Sequence, residues 1–106
     1  MSQVVLTVLY PWPINAEKFN ADYEAHLDLL HEKARIPSGP KPYSVVRFLA
    51  GPDGNPPFYQ SFTMAFPSAQ ALQEAMSTVG MQEVAADAER ISTGGKPTIL
   101  IGEPKH

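Results

Sequence analysis

A chain of 106 residues, 43% hydrophobic and 18% charged, has the size and balance of one globular domain over 1–106, not of a disordered segment. Lys+Arg 8 against Asp+Glu 11 leaves a net charge of -3, which argues against nucleic-acid binding, a function that usually needs a basic chain. With no cysteine there is no disulfide framework, no thiolate metal site and no cysteine nucleophile.

The start, Met1-Ser2-Gln3, lacks the positive charge of a signal peptide, and no stretch approaches the ~18 apolar residues of a membrane span. The expectation is a soluble, cytoplasmic protein that contacts neither membrane nor nucleic acid. Val4 to Tyr10 is a β-branched, nearly all-apolar run and predicts a first strand. Pro11 and Pro13 stop it, and Asn15 is placed to cap the next element. From Ala16 to about Arg35 the period changes to 3.6. Phe19, Tyr23, Leu27, Leu30 and Ala34 form one stripe with His26 on the same face, so an amphipathic helix is predicted. Pro37, Ser38-Gly39-Pro40 and Pro42 end it.

Tyr43 to Ala50 reads as a second strand and Phe58 to Phe66 as a third. The Pro- and Gly-dense Gly51–Pro57 between them reads as a long, exposed hairpin connection. After Pro67-Ser68, the residues Ala69, Leu72, Ala75, Met76 and Val79 are spaced for a buried helical stripe that Gly80 interrupts. Gln82 to Ile91 resumes it, with Val84, Ala88 and Ile91 inward. Thr93-Gly94-Gly95 and Pro97 end this helix, Thr98 to Ile101 is a fourth strand, and Glu103 to His106 form a loose tail.

The order βαββαβ is that of the ferredoxin-like α+β fold: a four-stranded antiparallel sheet with helices on one face. The strands carry apolar residues on both parities, and no element remains to cover the second face. Two copies packed sheet to sheet, a homodimer, would cover it.

Read in this order, the residues resemble the EthD family, named for ethyl tert-butyl ether degradation, within the dimeric α+β barrel superfamily. The resemblance rests on Leu9-Tyr10-Pro11, on Phe19…Tyr23-Glu24-Ala25-His26 and on Arg47-Phe48-Leu49-Ala50-Gly51-Pro52-Asp53-Gly54. It continues through Met64-Ala65-Phe66, Ala86-Asp87, Thr93-Gly94-Gly95 and Ile101-Gly102-Glu103, and so spans nearly the whole chain. It implies one EthD-like domain, a dimeric α+β barrel and a small-molecule ligand or substrate. The family helix often reads His-x-Pro-Leu, whereas here His26-Leu27-Asp28-Leu29 lets the helix run on. Relatives that rearrange methylated muconolactones carry a His matching His26 and a Tyr matching Tyr43. They also carry a Cys on the third strand, where this chain has Met64, whose thioether cannot donate a proton.

His26 is the leading catalytic candidate, because imidazole exchanges protons near neutrality and this one faces the sheet. The competing reading is a core histidine satisfied by backbone or tyrosine groups. Tyr43 is the second candidate, able to donate its hydroxyl to a substrate oxygen within about 6–7 Å of His26. Its competing reading is an ordinary strand-end aromatic. Tyr10, Tyr23, Phe62 and Met64 are candidate pocket walls, although core packing explains each as well. His26 and His31 lie about 140° apart round a helix, the wrong angle for shared ligation, so no metal is implied. No GxGxxG or GxxxxGK[ST] occurs, so no cofactor is implied either. Carboxylates look scattered over polar faces, with no second ionisable group obviously beside His26.

Two functions lead, and haem degradation, which belongs to a sister family, is a third option. One is a cofactor-free enzyme performing isomerisation, dehydration or oxygenation on a small apolar carbonyl, lactone or aromatic compound. The other is a non-enzymatic dimer that binds a small molecule or assists a catabolic oxidation system.

Overall fold

A computed structural model describes residues 3–37 and 39–105. Met1, Ser2, Ser38 and His106, with the expectations that touch them, lie outside the described residues. The elements run β1 (Val4–Tyr10), α1 (Ala16–Ala34), β2 (Tyr43–Arg47), β3 (Gln60–Phe66), α2 (Ala69–Met76), α3 (Val79–Ile91) and β4 (Thr98–Gly102). The strands form one antiparallel sheet in the order β2-β3-β1-β4, the ferredoxin-like arrangement. Among the described residues no helix is long and apolar enough to cross a membrane.

Local chemistry starts each helix. Asn15 accepts the Lys18 N–H at the head of α1, Ser68 the Ala71 N–H at α2, and Thr78 the Met81 N–H at α3. The Thr78 cap corrects one expectation. The second helical region breaks at Ser77-Thr78, because Thr78 is a stronger helix starter than Gly80 is a breaker. Gly80 lies inside α3, where a Cβ would sit 3.2 Å from the Lys33 Cβ, so it sets the close approach of α1 and α3. A Lys33–Glu83 ion pair of 3.0 Å spans the same junction. The new cap also shifts the phase of α3, so Val79 is exposed and not inward. Two strands are shorter than expected: β2 stops at Arg47 and β3 starts at Gln60. Beyond β2 the chain leaves the ladder, keeping one bond from Phe48 N–H to the Tyr59 carbonyl.

The register sets the two faces. Val4, Leu6, Val8 and Tyr10 of β1 pair with Phe66, Met64, Phe62 and Gln60 of β3, and this side faces the helices. Its core includes a Tyr10–Phe19–Tyr23–Tyr59–Ile91 cluster and a Leu30–Tyr43–Phe62–Met81–Val84 cluster. The opposite side carries Val5, Thr7, Leu9, Val46, Thr63, Ala65 and Leu100, an apolar and hydroxyl surface that no helix covers. Edge strand β4 leaves Ile99, Leu100 and Ile101 at least half exposed.

Candidate functional site

A cavity of about 100 Å³ lies between the sheet and α3. Its floor is Val8, Tyr10, Phe62 and Met64, and α1 closes one side with His26 and Leu30. Space remains because α3 presents Ala85 and Ala88 to it, short side chains that leave the gap unfilled. Of the lining residues Glu89 and Ile99 are exposed and Pro97 is half-buried, so these three mark the solvent side of the cavity.

His26 is 5% exposed and borders this cavity. Its Nδ1 lies 2.8 Å from Asp87 Oδ2 on α3. Asp87 is in turn held by Arg90, whose Nε donates to Oδ1 at 2.9 Å. Partial burial pushes the Asp87 carboxyl up, but the bonds from His26 and Arg90 outweigh it and hold it below the ordinary carboxylate range. An ionised carboxylate only accepts, so Nδ1 carries the hydrogen toward Asp87, and in the neutral tautomer the lone pair then lies on Nε2. Among the described residues nothing hydrogen-bonds Nε2. A buried, oriented imidazole with one free nitrogen at a cavity can take a proton from a bound molecule and return it.

The structure gathers His26, Tyr10, Phe62 and Met64 round this cavity. Tyr23 stands behind the histidine, its ring 5.5 Å from that of His26 and 5.5 Å from that of Tyr10. Burial raises both phenols well above their ordinary range, so both stay protonated. The Tyr23 hydroxyl and Gln60 Nε2 are buried without partners among the described residues. Arg47 fixes the Gln60 amide by donating to its Oε1 at 2.6 Å. Such unpaired atoms are what an ordered water satisfies.

Tyr43 is not brought to the cavity. Its hydroxyl is 2.6 Å from His31 Nε2, and the two line a separate hollow with Glu24, Asp28 and Lys41. Burial and the Glu24 and Asp28 carboxylates raise its phenol. His31, expected near the polar side of the helix, is thus engaged at both nitrogens: Nδ1 meets the Ile36 carbonyl at 3.1 Å as the chain turns out of α1. Among the described residues no group of three or more His, Asp or Glu side chains could hold a metal.

Asp87 is the residue that sequence reading missed. The signal was present: Asp87 falls in the turn between the inward Val84 and Ile91, with Arg90 three residues on. What the sequence lacks is the packing of α3 beside α1, which turns a flank position into a partner for His26.

No protein-family model matches the chain, and no curated protein matches it. Solved structures do. An EthD-family protein from Bacillus halodurans C-125 superposes with a TM-score of 0.80 at 29% identity, over 96% of this chain and 98% of the other. An EthD-like protein from Ralstonia eutropha JMP134 gives a TM-score of 0.69 at 26% identity, over 97% and 92%. A dimeric ferredoxin-like protein of unknown function from Thermobifida fusca YX shares the fold, with a TM-score of 0.67 at 11% identity over 97% and 92%. The resemblance first visible in the order of residues therefore extends to three dimensions, and the chain is EthD-like over nearly its whole length.

Proposed function

We propose that this chain is a cofactor-free enzyme that moves a proton on a small apolar carbonyl, lactone or aromatic compound, acting in the cytoplasm as a homodimer. The observation that carries the reading is the setting of His26: it lines an apolar cavity with Nδ1 tied to Asp87 and Nε2 bonded to nothing among the described residues. Asp87 holds the ring and stabilises the imidazolium that forms when Nε2 takes the proton. The apolar walls exclude water that would compete for it. Isomerisation, dehydration and the deprotonation that precedes oxygenation all begin with this transfer. Phe62 and Met64 shape the pocket, and Tyr10 offers a neutral phenol beside it. Tyr43, paired with His31 in the other hollow, takes no part.

Incubating the protein in D2O with a panel of small ketones, lactones and phenols tests the reading. Deuterium should enter a substrate C–H position, followed by NMR, and His26→Ala should slow this by roughly 10²–10⁴-fold while the fold is kept. Exchange unchanged in His26→Ala would refute it. The binding-dimer reading is favoured by one observation: among the described residues, besides Glu89 at the opening and the raised phenol of Tyr10, the cavity offers His26 no second proton-exchanging group. Ligand binding without exchange in any compound would select it.

A further inference from the structure

We propose that the cavity beside His26 accepts uncharged molecules and turns away carboxylates, with Glu89 at its opening setting this choice. The inference rests on the reading of that cavity as the functional site and narrows its substrate class.

Among the described residues no lysine or arginine lines the cavity, and its one carboxylate is Glu89. Among the described residues, the Glu89 side chain takes part in no ion pair. It stands in the last turn of α3, which ends at Ile91. Backbone carbonyls leave a helix at that end, so the helix dipole adds to the negative potential of the carboxylate. Arg90 shares the turn, but its guanidinium lies 2.8 Å from Asp87 Oδ1 and its charge is answered there. Asp87 also stands directly behind His26. Asp87, Arg90 and Glu89 together leave one negative charge in excess, at an opening whose other rim, Pro97 and Ile99, is apolar.

An entering carboxylate would pass Glu89 and come to rest against an imidazole backed by a second carboxylate. Among the described residues no lysine or arginine lines the cavity to receive it, and an unpaired charge in an apolar cavity is strongly disfavoured. An uncharged molecule meets neither obstacle. It needs only a hydroxyl or an acidic C–H for Nε2 to engage. The matching class is therefore an apolar ketone, ester, lactone or phenol without an acid group.

Acetophenone and benzoate make the test, since they share a ring and differ in charge. Binding of each to the full chain at low salt is measured by calorimetry or ligand-detected NMR. Acetophenone should bind at least roughly tenfold tighter than benzoate, the scale of one like-charge repulsion across a few ångströms of mixed dielectric. The gap should narrow in Glu89→Gln, close or reverse in Glu89→Lys, and shrink at high salt. Glu89 is exposed, so both variants should melt as the parent does. Equal binding of the two probes, or an undiminished gap in Glu89→Lys, overturns the inference alone. Failure of both probes to bind overturns it together with the cavity reading. His26→Gln separates the catalytic claim, because it should remove deuterium exchange yet keep the preference for acetophenone.

Discussion

His26 and Asp87 are 61 positions apart in the chain and 2.8 Å apart in space. Their pairing makes a prediction with a definite sign. The Asp87 carboxyl is held below its ordinary value of 3.8, so its contribution to stability is complete above that pH and is lost as pH falls through the lower folded value. Asp87→Asn should therefore flatten the acid limb of a plot of melting temperature against pH, between about pH 4 and the acid end. The same variant should lower proton exchange at neutral pH, because the amide no longer stabilises the imidazolium. An acid limb identical to the parent's would contradict the pairing. A second residue acts through space alone. A Cβ on Gly94 would lie 1.8 Å from the Trp12 carbonyl oxygen, backbone against backbone, where nothing flexible can yield. Gly94→Ala should cost about 3 kcal/mol in urea unfolding, the upper end of ordinary overpacking. The sequence marked Thr93-Gly94-Gly95 as a turn, and only the approach of the β1–α1 connection shows why that glycine has no substitute.

At the scale of elements, the hairpin connection and the third strand divide surface from core. Gly51–Asn55 is exposed, closed by a two-way bond between Gly51 and Gly54. Pro56 is different, since its carbonyl accepts the Trp12 indole N–H at 2.8 Å. Shortening the loop within residues 51–55 should shift the unfolding midpoint less than Phe62→Ala, for which about 3–5 kcal/mol is expected. Comparable losses in both would contradict this. Helix α3 supplies a test of the cavity: Ala88→Leu should fill it, blocking acetophenone binding while the fold survives. Unaltered binding in Ala88→Leu would place the ligand elsewhere. Most element positions were legible from periodicity and capping residues. One exception, the break at Ser77-Thr78, follows from a competition between the Thr78 cap and Gly80 that spacing alone does not weigh.

For the whole molecule, the helix-free face of the sheet, where Val46 and Leu100 are about half exposed, leaves apolar surface that a monomer would show to water. A second copy covering it should bury more than ~1,000 Å². Sedimentation should find a dimer at micromolar concentration, and a stable monomer would refute it. Thr7, Thr63 and Ser44 on that face add hydroxyls, so the contact is expected to be partly polar rather than a continuous apolar core. The sequence by itself determined the order of strands and helices, the inward stripe of α1 and the position of His26 on it. Those features are local: periodicity, capping and turn residues act over a few neighbours. Only the tertiary structure decided that Asp87 meets His26, that Tyr43 meets His31 instead, and that Ala85 and Ala88 leave a cavity open. Each depends on how helices lie against the sheet and against one another, a packing geometry that sums many weak contacts between residues remote in the chain and leaves no local pattern to read.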